Sequence, residues 1–157
     1  MSELKQVRID NKVTQEYCAD LLGVSLRSYK DYENNPAKVN SIKYHYLLEK
    51  LTQHFAITED KGILSRDFIV NTCAAVFQNY DIEYCYLFGS YAKNQAHDGS
   101  DVDLLVATTC SGLKFYELAE QLRENLHKKV DLLNIDQLNN NQELAKEILK
   151  TGVKIYG

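Results

Sequence analysis

The stretch GSYAKNQAHDGSDVDLLV, residues 89–106, sets two carboxylates, Asp101 and Asp103, into an otherwise apolar run. In a strand, residues i and i+2 share a face, so these two point together while Val102 and Leu104 turn into the packed side of a sheet. Two like charges so close repel each other and are costly to desolvate. An oxygen-seeking divalent cation such as Mg²⁺ removes both penalties. A third acid, Asp131, stands in KVDLLN between Val130 and Leu132. If strands 101–107 and 129–135 are neighbours, the three carboxylates converge. Upstream, Gly89 and Ser90 fall between a strand and a short helix, where bare backbone N–H groups and a hydroxyl can hold phosphate oxygens. A phosphate cradle, a carboxylate pair for a metal, and a third acid to complete the metal site or act as base suit phosphoryl or nucleotidyl transfer. That chemistry depends on positioning and charge neutralisation.

The elements that must position these residues follow from periodicity. EYCYLF (83–88), DVDLLVA (101–107), KVDLLNI (129–135) and a final VKIYG read as strands. Residues 65–79, 115–127 and 142–150 read as helices, with Phe68, Ile69, Thr72, Cys73 and Val76 in line on the first. Before them, residues 1–56 read as consecutive helices: Thr14 and Ser25 are good N-caps, Gly23 suits a left-handed turn, and Pro36 ends a helix. Tyr44, Leu47, Leu48, Leu51 and Phe55 share the most strongly periodic face. ITEDKGILS (57–65) is polar and reads as a linker. The expected class is α+β: an all-α helix-turn-helix bundle over 1–56, then a small mixed sheet with packed helices over 66–157.

Composition narrows the function. At 157 residues and 45% hydrophobic content, the chain can bury one sizeable core or two small ones. No apolar run approaches the roughly 18 residues of a membrane span, and MSELKQVRIDNK lacks a signal-peptide core, so a cytoplasmic protein with no membrane partner is expected. The four cysteines and four histidines show no metal-ligand spacing. Net charge is −4, with residues 1–50 near neutral and residues 51–157 acidic, so any nucleic-acid contact must be local.

Residues 84–157 resemble the minimal nucleotidyltransferase branch of the DNA polymerase β-like superfamily: Gly-Ser, a helix and loop, Ser-Asp-x-Asp, then a later strand Asp, ending in EILKTGVKIYG. The resemblance implies that Gly89, Ser90, Lys93 and Ser100 bind the nucleotide triphosphate, with ATP as substrate. It implies that Asp101 and Asp103 ligate Mg²⁺ or Mn²⁺, and that Asp131 completes the metal site or deprotonates the acceptor. Lys93 and Asn94 depart from the Arg-Gly common in the family.

TQEYCADLLGVSLRSYKDYEN (14–34) resembles the helix-turn-helix of Xre/Cro-type repressors. Ala19 is small where two helices cross, and Val24, Tyr29 and Tyr32 pack inward. The recognition helix then exposes Arg27, Ser28 and Lys30, with Asp31 beside them to repel phosphate. The resemblance implies that Gln15, Arg27, Ser28 and Lys30 contact operator DNA.

In their family, minimal nucleotidyltransferases are commonly paired with HEPN ribonuclease toxins and act as antitoxins by placing AMP on a toxin tyrosine. The resemblance implies that role; a repressor-like domain fits autoregulation, and assembly either as a homo-oligomer or with the toxin stays open. The HEPN signature, Arg and His separated by four to six residues, is absent, since Arg123 and His127 have three between them. The toxin is therefore expected to be another chain. A small transferase part is expected to take a docking protein as acceptor. Two alternatives stay open: a regulator whose transferase fold only binds a nucleotide or partner, and a small-molecule nucleotidyltransferase.

Overall fold

Side-chain caps in the sequence start the helices of the N-terminal part. In the computed structural model, which describes residues 1–157, the chain divides into two units, Met1–Ala56 and Ile57–Gly157. In the first, Ser2, Thr14, Ser25 and Ser41 stand in extended backbone and accept hydrogen bonds from the opening turns of α1 (Glu3–Asp10), α2 (Gln15–Leu22), α3 (Leu26–Asn34) and α4 (Ile42–Phe55). Gly23, at φ +69°, closes α2 with a left-handed residue, so three residues suffice to turn the chain into α3. Leu4, Cys18, Ala19, Tyr29, Tyr44, Leu47 and Leu51 form the core of this unit.

That core also encloses an ion pair that the periodicity did not signal. Glu33, 3% exposed, receives Arg8 Nε and Nη2 at 2.9 and 2.8 Å and Gln15 Nε2 at 3.2 Å. Burial pushes the Glu33 carboxyl up, but the hydrogen bonds of Arg8, Tyr29 and Gln15 and the Arg8 charge together hold the group below the usual carboxylate range. Gln15, expected at DNA, thus has its amide nitrogen engaged inside the unit.

The second unit runs α5 (Arg66–Phe77), β1 (Ile82–Phe88), α6 (Gly89–Ala92), β2 (Val102–Thr108), α7 (Leu113–Leu126), β3 (Val130–Asn134), a 3₁₀ turn (Ile135–Leu138), α8 (Gln142–Thr151) and β4 (Val153–Tyr156). The sheet order is β3-β2-β1-β4, with β2 and β3 parallel and β1 antiparallel to both its neighbours. Alternation divides the sheet: Cys85, Leu87, Val102, Leu104, Val106 and Leu132 pack with Ile69, Cys73, Leu118 and Leu122 of α5 and α7. Phe88 and Leu105 turn the other way, onto Ile148 of α8.

Two expectations change. Residues 57–65 are part of the second unit, not a bare linker: Thr58 and Lys61 form a bridge, Leu64 is buried in the sheet core, and its N–H donates to the Tyr91 hydroxyl. A polar composition hid one anchoring leucine. On α5 the buried stripe is Ile69, Cys73, Val76 and Phe77, which leaves Phe68 41% exposed at its margin. No helix is long and apolar enough to cross a membrane.

Candidate active site

Sheet register brings the acids together. Asp103 and Asp131 are direct partners across the parallel β2–β3 pair, one strand spacing of about 4.8 Å apart. Their parity places both on the α8 side of the sheet, with Leu105 and Leu133 and away from Val102 and Leu104. Asp101, immediately before β2, shares that parity. Asp103 is half-buried, whereas Asp101 and Asp131 are exposed.

Electrostatics mark Asp103 as the focus. Burial, then the charges of Asp131, Asp101 and Glu147, push its carboxyl up to about 6, while Lys93 pulls it down. The donor chemistry, three carboxylates at the same end of two neighbouring strands, suits a hard divalent cation. As they stand, the three side chains do not form a group that could by itself hold the ion.

Gly89 supplies the close approach. It takes φ +69°, and a Cβ built on it would overlap the Asp103 carboxylate. Gly89→Ala is therefore expected to displace that carboxylate, with a metal affinity or activity loss of about 10- to 100-fold that exceeds any loss of folded protein. Metal titration beside thermal unfolding checks this.

The other expected nucleotide residues are placed as follows. Ser90 lies half-buried in α6, directly after Gly89. Lys93 ends α6 with its ammonium 3.0 Å from Glu147 Oε1 on α8, so it is already ion-paired beside the acids. Ser100 is buried, and its hydroxyl accepts from the His97 N–H at 2.8 Å, which shapes the loop before β2. Asn94, in place of the family's glycine, adopts φ +57°, a conformation asparagine tolerates. Arg66 donates to Ala92 O at 2.9 Å, setting a cation at the C-terminal end of α6. Glu147 and Arg66 escaped the sequence reading, because a glutamate in KEILK looks like any solvated helix position.

A shallow cavity lined by Asp101, Arg123, Lys129 and Asp131 opens beside the acids. A cavity of about 900 Å³ lies between α5 and α7 and holds none of the three. Charge neutralisation, not volume, decides where phosphate chemistry can occur.

Comparison with known proteins identifies the family. The family described as "Polymerase beta, Nucleotidyltransferase" matches residues 71–157, more than half of the chain. The chain belongs to the polymerase beta nucleotidyltransferases. This nucleotidyltransferase is 32% identical over 78 residues to the protein adenylyltransferase MntA of Shewanella oneidensis, covering 48% of this chain and 55% of that one. It is 35% identical over 80 residues to the protein adenylyltransferase MntA of Thermococcus cleftensis, covering 50% and 79%. The chain thus spans little more than half the length of the Shewanella relative. A chain in a crystal structure of a toxin-antitoxin with AMP-PNP superposes with TM-score 0.50 at 25% identity, covering 56% of this chain and 73% of that one.

The raised Asp103 carboxyl gives a pH dependence with a definite sign. An acid near 3.9 when unfolded and about 6 when folded makes the folded form bind more protons between those values. Without metal, stability is expected to fall as pH rises from about 4 to about 6 and then level off. A cation held by these acids would compete with the proton, so added Mg²⁺ is expected to offset the fall. Thermal unfolding across that range with chelator and with Mg²⁺ measures the difference.

Proposed function

We propose that this nucleotidyltransferase moves AMP from ATP onto a hydroxyl, a tyrosine in our reading, of a partner HEPN-type ribonuclease toxin in the cytoplasm. The observation that carries the reading is the register pairing of Asp103 with Asp131 beside Gly89, in a chain of the polymerase beta family. The relatives' designation as protein adenylyltransferases, and the toxin-antitoxin setting of the similar fold, support a protein acceptor.

Asp101, Asp103 and Asp131 would hold Mg²⁺, which when bound neutralises phosphate charge. Gly89 and Ser90 present backbone N–H groups and a hydroxyl toward the phosphates. Lys93 exchanges Glu147 for phosphate oxygen. The acceptor oxygen bonds to the α-phosphorus, the bond from that phosphorus to the bridging oxygen breaks, and pyrophosphate leaves with the electron pair. Asp131, which is exposed, would either complete that metal site or take the hydroxyl proton.

The N-terminal unit fits operator binding on one specific observation. Arg27 and Lys30 are exposed on α3, and Asp31, which would repel phosphate, is paired with Lys38. Ser28 is half-buried and contributes its N–H to the Ser25 cap. Loss of mobility shift on DNA upstream of the chain's own gene in Arg27→Ala is the expected result.

The test of transfer is incubation of the protein with ATP, Mg²⁺ and the product of the adjacent gene, beside an Asp101→Ala/Asp103→Ala control. Modification of the neighbour by wild type alone supports the proposal. Nucleotide binding without transfer to any acceptor supports the regulator reading instead.

A further inference from the structure

Lys128 is fully buried, yet no carboxylate pairs with it. Its ammonium donates to the Asp98 carbonyl at 2.6 Å and the Lys61 carbonyl at 3.3 Å. Burying an ammonium against neutral acceptors is expensive, and a leucine or methionine would fill the same volume without that penalty. What an apolar residue cannot do is join these two carbonyls.

Their positions give the joint a purpose. Asp98 lies three residues before Asp101, and Lys128 lies three residues before Asp131. Because β2 and β3 are parallel, the turns that enter them lie at the same end of the sheet, the end that carries the acids. The first bond beyond the turns, Val102 N–H to Lys129 O at 2.9 Å, starts the register that pairs Asp103 with Asp131. The turn before β2 is otherwise held by the Ser100 hydroxyl on the His97 N–H and by the Gly62 N–H on Asp98 Oδ1 at 3.2 Å. One buried nitrogen therefore ties together the entry to β2, the entry to β3 and the segment 57–65.

The geometry points to Lys128 as a positioning residue that fixes Asp101 relative to Asp131 and thereby sets the affinity of the site for a divalent cation. This rests on reading the three acids as a cation site. The role is mechanical: Lys128 reaches the acids through backbone, not through its charge. A lysine that merely stabilised the fold would, on removal, lower the melting temperature while leaving the folded fraction's cation affinity intact.

The experiment titrates Mn²⁺ into the full chain and into Lys128→Met, followed by electron paramagnetic resonance. Hydrogen exchange at the Ser100 and Val102 amides is read without metal, and thermal unfolding gives the folded fraction. The expected result is a Mn²⁺ dissociation constant raised at least about 10-fold, with faster exchange at both amides, in protein that is still folded. Wild-type affinity in folded Lys128→Met overturns the role of Lys128 while leaving the cation site standing. Failure of the wild type to bind Mn²⁺ overturns the cation site, and this role with it. Should Lys128→Met not fold, Lys128→Gln, whose shorter amide keeps a donor but cannot span both carbonyls, is read by the same criteria.

Discussion

Asp103→Asn is expected to reduce AMP transfer by at least about 10³-fold and, in the same protein, to stabilise the metal-free second unit. The two effects share one cause. Asp103 is half-buried and faces Asp131, Asp101 and Glu147, so its ionised form is uncomfortable in the absence of a cation. The amide keeps the shape, removes the charge, and relieves about 1 kcal/mol after allowance for solvent screening at a half-exposed group. Activity is lost because the same charge is what would bind the metal. Asp101→Asn, at an exposed position, is expected to lose activity with little change in stability. Steady-state transfer assays and unfolding with chelator separate the two. A variant Asp103→Asn that is inactive and also less stable would contradict this account, since its deficit would then be one of folding.

Arg8→Ala is expected to destabilise the first unit by about 3–5 kcal/mol, because it strands the Glu33 carboxylate in a core that excludes water. A unit of this size has only about 3–8 kcal/mol in total, so most of its stability disappears. The second unit has its own core, and AMP transfer is expected to survive. The pH sign is opposite to that at Asp103. Glu33 is held below its ordinary value when folded, so the pair's contribution is complete above the unfolded value near 4.3 and is lost as pH falls through the folded value. Loss of the α1–α4 helical signal on heating Arg8→Ala, at pH 7 and at pH 3, measures both.

These two residues also show where sequence reading reaches and where it stops. Asp101, Asp103 and Asp131 were legible because a charge in an apolar strand breaks the alternation rule, and the break is visible without knowing the partner strand. Bringing them to one end of the sheet needed β2 and β3 to be neighbours, which a crossover through α7 makes natural for parallel strands. Thr14, Gly23 and Ser25 were legible because capping is local. Glu33 was not, for it sits in YEN among polar residues, and only the fold brings Arg8 to it from 25 positions away. Glu147 and Lys128 were hidden for the same reason: each reads as a surface charge until α8 and the entry to β3 are in place. Leu64 shows the converse, one apolar residue in a polar stretch that proves to be anchored.

The most direct measurement of the central claim is the position of the label that reaches the partner protein. Parallel incubations with Mg²⁺ and ATP labelled at either the α- or the γ-phosphate distinguish AMP transfer from phosphate transfer and from binding alone. The account predicts α-label on the partner, γ-label released as pyrophosphate, and neither in Asp103→Asn. Transfer of γ-label, or no covalent label on the partner from wild-type protein, would contradict it.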